Sequence, residues 1–201
     1  MKLIETIHEN YIFKRRVKVL SDRISSLIPA NSNVLDIGCG DGLIDKLVLE
    51  KRPDIKITGI DVLIREKTFI EVIKFNGHSI PFPDNSFDCA MFIDVLHHTT
   101  DPFLLLKEAA RIAKKQILIK DHLKEGFLAE KTLRLMDWIG NARHKVVLPY
   151  NYWKMKDWTA AFAQLNLKSS TFETKLGLYG FPANILFERR LHFIALLEKS
   201  Q

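Results

Sequence analysis

The sequence has 201 residues, 47% of them hydrophobic and 27% charged, which is typical of a globular domain and long enough for one full core. No apolar run is long enough to span a membrane, and the first residues lack the apolar stretch of a secretory signal. The two cysteines, Cys39 and Cys89, have no metal-ligand spacing. We therefore expect one domain over residues 1–201 in a reduced cytoplasmic compartment, with no metal site.

The net charge of +6 and the pI of about 9.3 would suit a polyanionic partner. The basic residues, however, form only short, scattered clusters at 14–16, 114–115 and 189–190, without interleaved aromatic side chains. A solvated positive surface explains this pattern better than a nucleic-acid groove. The sequence does not indicate an oligomeric state.

Apolar residues at helical spacing predict a first helix over residues 12–28. These residues are Phe13, Val17, Leu20, Ile24 and Leu27. Pro29 would end this helix, which would then pack on a sheet and help to cover a ligand at the edge of that sheet. We call it the cover helix.

A buried strand over 33–37 leads into a loop with glycine at every second position: Gly38, Gly40 and Gly42. Such spacing lets the backbone turn sharply and approach a bound molecule closely. A helix is predicted to begin at Asp41, as N-cap, and to end near Lys51. Leu43 stands where a dinucleotide fingerprint would need glycine, so the pattern is acid-x-G-x-G-x-G.

Strand two is predicted over 55–60 and is followed by Asp61, 19 residues after Gly42. An acidic residue at this offset in nucleotide-binding βαβ units bonds the ribose hydroxyls, although an ordinary turn aspartate would also fit. Strand three over 70–75 leaves only residues 62–69 for the crossover. Because a parallel crossover usually takes a dozen or more residues, we expect no full helix there.

The second half of the chain continues the alternation of strands and helices. Strand four is predicted over 88–94, a helix from Asp101 as cap, through Pro102, to about Lys114, and strand five over 116–120. Further helices are predicted over 123–139 and 153–165, a loop over 140–152, and strands over 167–174 and 189–197. The chain shows no internal repeat or linker.

Four segments in order resemble class I S-adenosylmethionine (SAM) dependent methyltransferases, in the small-molecule branch similar to the ubiquinone and menaquinone enzymes. They are VLDIGCGDG at 34–42, Asp61, FNGHSIPFPDNSFD at 75–88 and CAMFIDVLHH at 89–98. The resemblance covers the motif core, about 33–120. It implies an α/β, Rossmann-like, seven-stranded mixed sheet of order 3-2-1-4-5-7-6, with helices on both faces.

The resemblance also implies SAM as cofactor, S-adenosylhomocysteine as product and no metal. The implied cofactor-binding residues are Asp36, Gly38, Cys39, Gly40, Gly42, Asp61, Val62, Asn76, Gly77 and Asp94. Asn76 stands where the family usually has an acid that accepts a hydrogen bond from the adenine amino group. An amide oxygen can accept the same bond without charge.

His97 and His98 follow strand four, where ligands bind in open α/β sheets, and are the candidate catalytic bases. Asp121 and His122 are weaker candidates. Alternatively, one histidine of the pair caps a loop and the other faces solvent. If the acceptor site lies elsewhere, it should be sought beside the cover helix, around His8, Tyr11 and Arg15.

Residues 121–152 are the predicted substrate segment, because apolar and aromatic side chains mix there with polar anchors. These include Met136, Trp138, Val147, Asp137, Asn141, Arg143, His144, Tyr150, Asn151 and Tyr152. The alternative is a surface helix and loop that only pack on the core.

The leading hypothesis is methyl transfer from SAM to a small or lipid-like acceptor. Residues 94–97 lack the Asn/Asp-Pro-Pro-Tyr/Phe motif of the base-modifying members, which argues against amino groups of nucleic-acid bases. Two alternatives stay open. One is an RNA or protein methyltransferase on the same fold, and the other is a SAM-binding module without activity.

Overall fold

The structure is a computed structural model that describes residues 13–141 and 149–200. Seven strands form one sheet in the order β3-β2-β1-β4-β5-β7-β6, as the resemblance implies. The strands are β1 Asn33–Ile37, β2 Lys56–Asp61, β3 Val72–Lys74, β4 Phe87–Ile93, β5 Ala113–His122, β6 Leu167–Glu173 and β7 His192–Lys199. The first five are parallel, and β7 runs antiparallel to both β5 and β6.

Helices cover both faces of this sheet. They are α1 Lys14–Leu27, α2 Leu43–Lys51, α3 Pro102–Ile112, α4 Ala129–Asn141, α5 Met155–Gln164 and α6 Ala183–Phe187. One apolar core lies between the sheet and the pair α3 and α5, and a second lies between the sheet and the pair α1 and α2. The central strands are buried on both sides, which explains their nearly continuous apolar sequence. In the described ranges, no helix is long and apolar enough to cross a bilayer.

Several predicted boundaries shift for identifiable reasons. The second helix begins at Leu43 with Gly42 as its N-cap, so the prediction of Asp41 as N-cap was wrong. The carboxylate of Asp41 instead accepts a hydrogen bond from the Leu43 N–H at 3.0 Å. Asp101 does cap α3, accepting from Leu104 N–H at 3.0 Å, and Pro102 is its first residue.

The remaining differences follow from strand pairing and turns. β3 is an edge strand of three residues, and the crossover from β2 contains no helix, as predicted. β5 is longer than predicted because its last residues pair with β7 as far as His122 with His192. α4 begins six residues later than predicted, after a turn with positive φ at Gly126 and Leu128.

Candidate cofactor and acceptor site

The glycine loop takes the left-handed conformation that its sequence requires. Gly38, Gly40 and Gly42 have φ of +81°, +62° and +74°. A Cβ atom on Gly38 would lie 2.7 Å from the side chain of Val95, whereas one on Gly40 would meet no described atom within 4 Å. Gly38 is therefore needed for packing within the protein, and Gly40 exposes its backbone to open space at the carboxyl edge of the sheet.

Asp61 lies at the end of β2 and anchors the glycine loop. Its two carboxylate oxygens accept hydrogen bonds from the backbone N–H groups of Gly40 and Leu63, each at 2.9 Å. Cys39 lies in the same turn, with its sulfur against Gly59, where an added Cβ would come within 2.4 Å. The predicted cofactor residues of β1 and β2 are thus brought together in one place.

A cavity of about 130 Å³ separates the glycine loop from α1. Its wall includes Asp36, Gly38 and Cys39 from the sheet side and Phe13, Arg16 and Val17 from the side of α1. Typical ligand pockets measure roughly 300–1,000 Å³. The cavity is therefore smaller than a typical ligand pocket, and it adjoins the open space above Gly40. The predicted cover helix does border this space, although residues of its predicted N-terminal end lie outside the described range.

Asp36 and Asp45 form a buried pair of carboxyl groups behind the loop, exposed by only 2% and 1%. Burial raises the pKa of Asp45 to about 7. Burial, followed by the adjacent Asp45, also raises the pKa of Asp36 well above its usual range. The Oδ1 atom of Asp36 has no hydrogen-bond partner in the described part of the chain. It is a buried acceptor beside the cavity.

The loop after β3 is shaped by Asn76. Its amide oxygen accepts hydrogen bonds from the backbone N–H groups of His78 and Ser79, at 2.9 and 2.8 Å. Gly77 follows with φ of +81°, and a Cβ there would lie 3.1 Å from Val62. Asn76, Gly77 and Val62 therefore lie together beside the end of β2, and a contact of Asn76 with adenine stays a prediction.

Asp94 follows β4 with φ of +57° and holds two cations. Its carboxylate accepts short hydrogen bonds from Arg16 of α1 and from the buried Lys120 of β5. Burial opposes the charged form of Asp94, but Lys120 and Arg16 outweigh it and hold the pKa of Asp94 well below its usual range. Asp94 thereby ties the cover helix to the sheet at the cavity wall.

His97 is buried and lies between two carboxylates. Its Nδ1 is 2.6 Å from Oδ1 of Asp121, and its Nε2 is 3.3 Å from Oδ2 of Asp137 on α4. Burial disfavours the charged ring, yet Asp121 and Asp137 together raise the pKa of His97 to about 10. In this arrangement His97 does not present a lone pair to an acceptor.

His98 is only partly buried, and its ring lies against His97 with a centroid separation of 3.9 Å. Its Nδ1 atom has no hydrogen-bond partner among the described residues. Burial, followed by the charge of His97, lowers the pKa of His98 to about 4. The ring is therefore neutral at physiological pH and carries a lone pair.

The substrate segment packs against this histidine pair. The backbone N–H of Asn151 donates to the His97 carbonyl at 3.0 Å, and its amide donates to the Thr99 carbonyl at 2.8 Å. The Tyr152 hydroxyl donates a short hydrogen bond to Asp137. Of the other residues predicted here, Arg143, His144 and Val147 lie outside the described residues, as do His8 and Tyr11. Arg15 is exposed on α1, and Tyr150 packs partly buried beside Tyr152.

Four polar residues of this site were not among the predicted site residues: Arg16, Asp45, Lys120 and His192. Two of them could have been identified from the sequence as buried, partnered groups, because charged side chains within apolar segments are rarely buried without a partner. Lys120 ends an apolar strand, and Asp45 interrupts the apolar face of α2. His192 becomes interpretable only when the pairing of β7 with β5 is known.

Comparison with known proteins places this arrangement in a family. The family model described as "Methyltransferase domain" matches residues 8–169. The 27-O-demethylrifamycin SV methyltransferase of Amycolatopsis mediterranei is 28% identical over 110 residues, 47% of this chain and 40% of that protein. The demethylmenaquinone methyltransferase of Thermotoga maritima is 28% identical over 131 residues, 58% of this chain and 57% of that protein.

The chain thus spans about half the length of the curated relatives it matches. Among solved structures, the PH0226 protein of Pyrococcus horikoshii superposes with a TM-score of 0.68 at 18% identity, covering 96% of each chain, which shows the shared fold. The family model covers most of the chain, and the strand order and glycine loop agree with it. The chain therefore belongs to the class I SAM-dependent methyltransferases.

Proposed function

We propose that this protein transfers a methyl group from SAM to a small or lipid-like acceptor. The observation that carries the proposal is the open backbone at Gly40, flanked by the unpartnered buried oxygen of Asp36 and by Asp61. SAM supplies a methyl group on a sulfonium, which is already a good leaving group. The task that remains for the protein is to bind and align, which can contribute several kcal/mol.

The residues present fit such a cofactor. Asp36 offers a buried acceptor for an ammonium group, and Arg16 in the same cavity wall offers positive charge for a carboxylate. The carboxylate of Asp61 keeps a second lone pair on each oxygen for ribose hydroxyls. Gly38, Cys39, Gly42, Val62, Asn76, Gly77 and Asp94 complete the proposed cofactor set.

The acceptor side is proposed to begin at His98. This residue is the more accessible of the histidine pair, and its Nδ1 lacks a partner in the described ranges. If the acceptor must lose a proton, His98 is the proposed base, neutral but weak, and the ring of His97, which Asp121 holds, packs against it. Of the two histidines, His98 is thus proposed as the base and His97 as a positioning residue.

A lipid-like acceptor is favoured by apolar side chains exposed near the substrate segment. Phe127 is 82% exposed, Phe181 78% and Trp138 62%. Arg189 contacts the substrate segment at two places. It donates a hydrogen bond to the Phe127 carbonyl at 3.3 Å and another to the Thr132 hydroxyl at 2.8 Å. Where such side chains form a continuous patch, they mark a surface that meets apolar ligands or partners.

SAM and S-adenosylhomocysteine should bind in the micromolar range, about −8 kcal/mol, as measured by calorimetry. Asp61→Ala should weaken binding by about 1–3 kcal/mol, because both the ribose and the Gly40 N–H lose an acceptor. Asn76→Ala should cost less, since the group lost is neutral. A protein that binds NAD but neither SAM nor its product would refute the proposed cofactor.

A screen of acceptors with methyl-labelled SAM should identify the substrate. With that substrate, His98→Ala should lower the methyl-transfer rate about 10²–10⁴-fold and leave the Kd for SAM within about threefold. His78→Ala, at an exposed histidine, is the matched control and should change neither. An unchanged rate in His98→Ala would remove the base from the proposal, and label found on RNA or protein would replace the acceptor class.

A further inference from the structure

We propose that His97, His122 and Asp137 form a binding site for a divalent transition-metal ion such as Zn²⁺. The three side chains come from the loop after β4, the end of β5 and the middle of α4, and all three are buried. One ligand atom from each lies within 4.8 Å of the others. Two imidazoles and one carboxylate are a common protein ligand set for zinc and for non-haem iron.

The distances suit coordination. His97 Nε2 lies 3.3 Å from Oδ2 of Asp137, and His122 Nε2 lies 3.2 Å from Oδ1 of the same carboxylate. Donor atoms in a tetrahedral zinc site with bonds of 2.0–2.1 Å are about 3.3 Å apart. Each imidazole nitrogen therefore stands at about that distance from one of the two oxygens of Asp137.

The second ring nitrogens are held as metal-binding histidines usually are. His97 Nδ1 faces Asp121 Oδ1 at 2.6 Å, so the proton of a neutral His97 lies on Nδ1. A histidine that binds a metal usually donates its other N–H to a carboxylate, carbonyl or water, which fixes the ring. Asp121 is itself held, because its other oxygen accepts from the Leu96 N–H at 3.0 Å.

The same reasoning applies to His122. Its Nδ1 is 3.2 Å from His192 Nδ1, which lies 3.4 Å from the Lys120 ammonium. One of the two Nδ1 atoms donates to the other, which holds the ring of His122 with its Nε2 toward Asp137.

One ligand atom of this cluster, His97 Nε2, is buried and has no hydrogen-bond partner among the described residues. A metal ion bound there would take the place of a proton on Nε2, beside the carboxylate of Asp137. It would also join α4 to β5 and to the loop that carries His98, and so fix the wall of the acceptor side.

The site was not expected from the sequence, because the three ligands are separated by 25 and 15 residues and include no cysteine. The inference does not depend on the proposed function. A metal ion here could be present in a protein that binds no SAM, and SAM could bind when the metal is absent.

The test is zinc binding by the purified full chain. After treatment with EDTA and dialysis, the protein should take up one equivalent of Zn²⁺ by calorimetry, with a rise in Tm. Co²⁺ should give the visible absorption of a tetrahedral site. His122→Asn and Asp137→Asn should weaken Zn²⁺ binding at least about 100-fold, and Asp121→Asn about 10–100-fold.

His78→Asn, at an exposed histidine, is the control and should bind as tightly as the wild type. Because a ligand variant could fail to fold, the wild-type protein carries the decisive measurements. Absence of stoichiometric uptake and of a Tm shift in the wild type would overturn the proposal. So would unchanged affinity in folded His122→Asn and Asp137→Asn, which would mean that Zn²⁺ binds elsewhere. SAM affinity measured on the same samples separates this outcome from failure of the proposed function.

Discussion

Gly38→Ala is expected to lose about 2–4 kcal/mol of folding free energy, whereas Gly40→Ala should fold and lose cofactor binding. Both glycines have positive φ, which costs an alanine about 1–2 kcal/mol. At Gly38 the new methyl group would also lie 2.7 Å from Val95, and overpacking adds about 1–3 kcal/mol. At Gly40 the methyl group would enter open space, where only a ligand would meet it.

Urea unfolding measures the lost folding free energy, and SAM calorimetry on the same preparations measures the lost cofactor binding. Gly177→Ala is the matched control, since Gly177 has φ of +72° and no described atom within 4 Å of an added Cβ, and it lies after β6, outside the proposed cofactor set. It should show the backbone cost alone and bind SAM normally. Gly40→Ala should weaken SAM binding at least about tenfold. If Gly40→Ala and Gly177→Ala bound SAM equally well, Gly40 would not line the cofactor site.

The parallel half of the sheet could be predicted well because each of its signals is local. The spacing of Gly38, Gly40 and Gly42 requires a loop of one kind, and Asp101-Pro102 defines a helix start. The missing helix before β3 also followed from counting residues. The order β5-β7-β6 came instead from the resemblance, since pairing between strands more than 70 residues apart leaves no local pattern.

The acceptor side could be predicted only in part, for a related reason. His97 and His98 were found because they follow a strand end. Their roles depend on Asp121, Asp137 and His192, which three different elements bring to them. Neighbouring positions therefore have different environments, with His97 held between carboxylates and His98 left partly exposed, which no periodicity could indicate.

The contribution of the buried pair Asp36 and Asp45 to stability should fall as pH rises from about 4 to about 7. Burial raises the pKa of Asp45 from 3.8 to about 7 in the folded protein. A carboxyl group with a raised folded-state pKa stabilises the fold fully below its unfolded pKa. That contribution is lost as the pH rises through the folded pKa, and a shift of this size corresponds to about 4 kcal/mol.

Asp45→Asn should remove most of this dependence, because an amide keeps the size of the side chain and carries no charge at any pH. The variant should be about 2–4 kcal/mol more stable than the wild type at pH 8 and nearly equal to it at pH 4, by urea unfolding. Asp41 and Asp61, the other acids that face the pair, are unchanged in both proteins. Glu66→Gln, at an exposed carboxylate, is the control and should follow the wild-type profile. Equal slopes for Asp45→Asn and wild type would mean that Asp45 stays ionised in the fold. The helix behind the glycine loop would then contain a buried negative charge at Asp45.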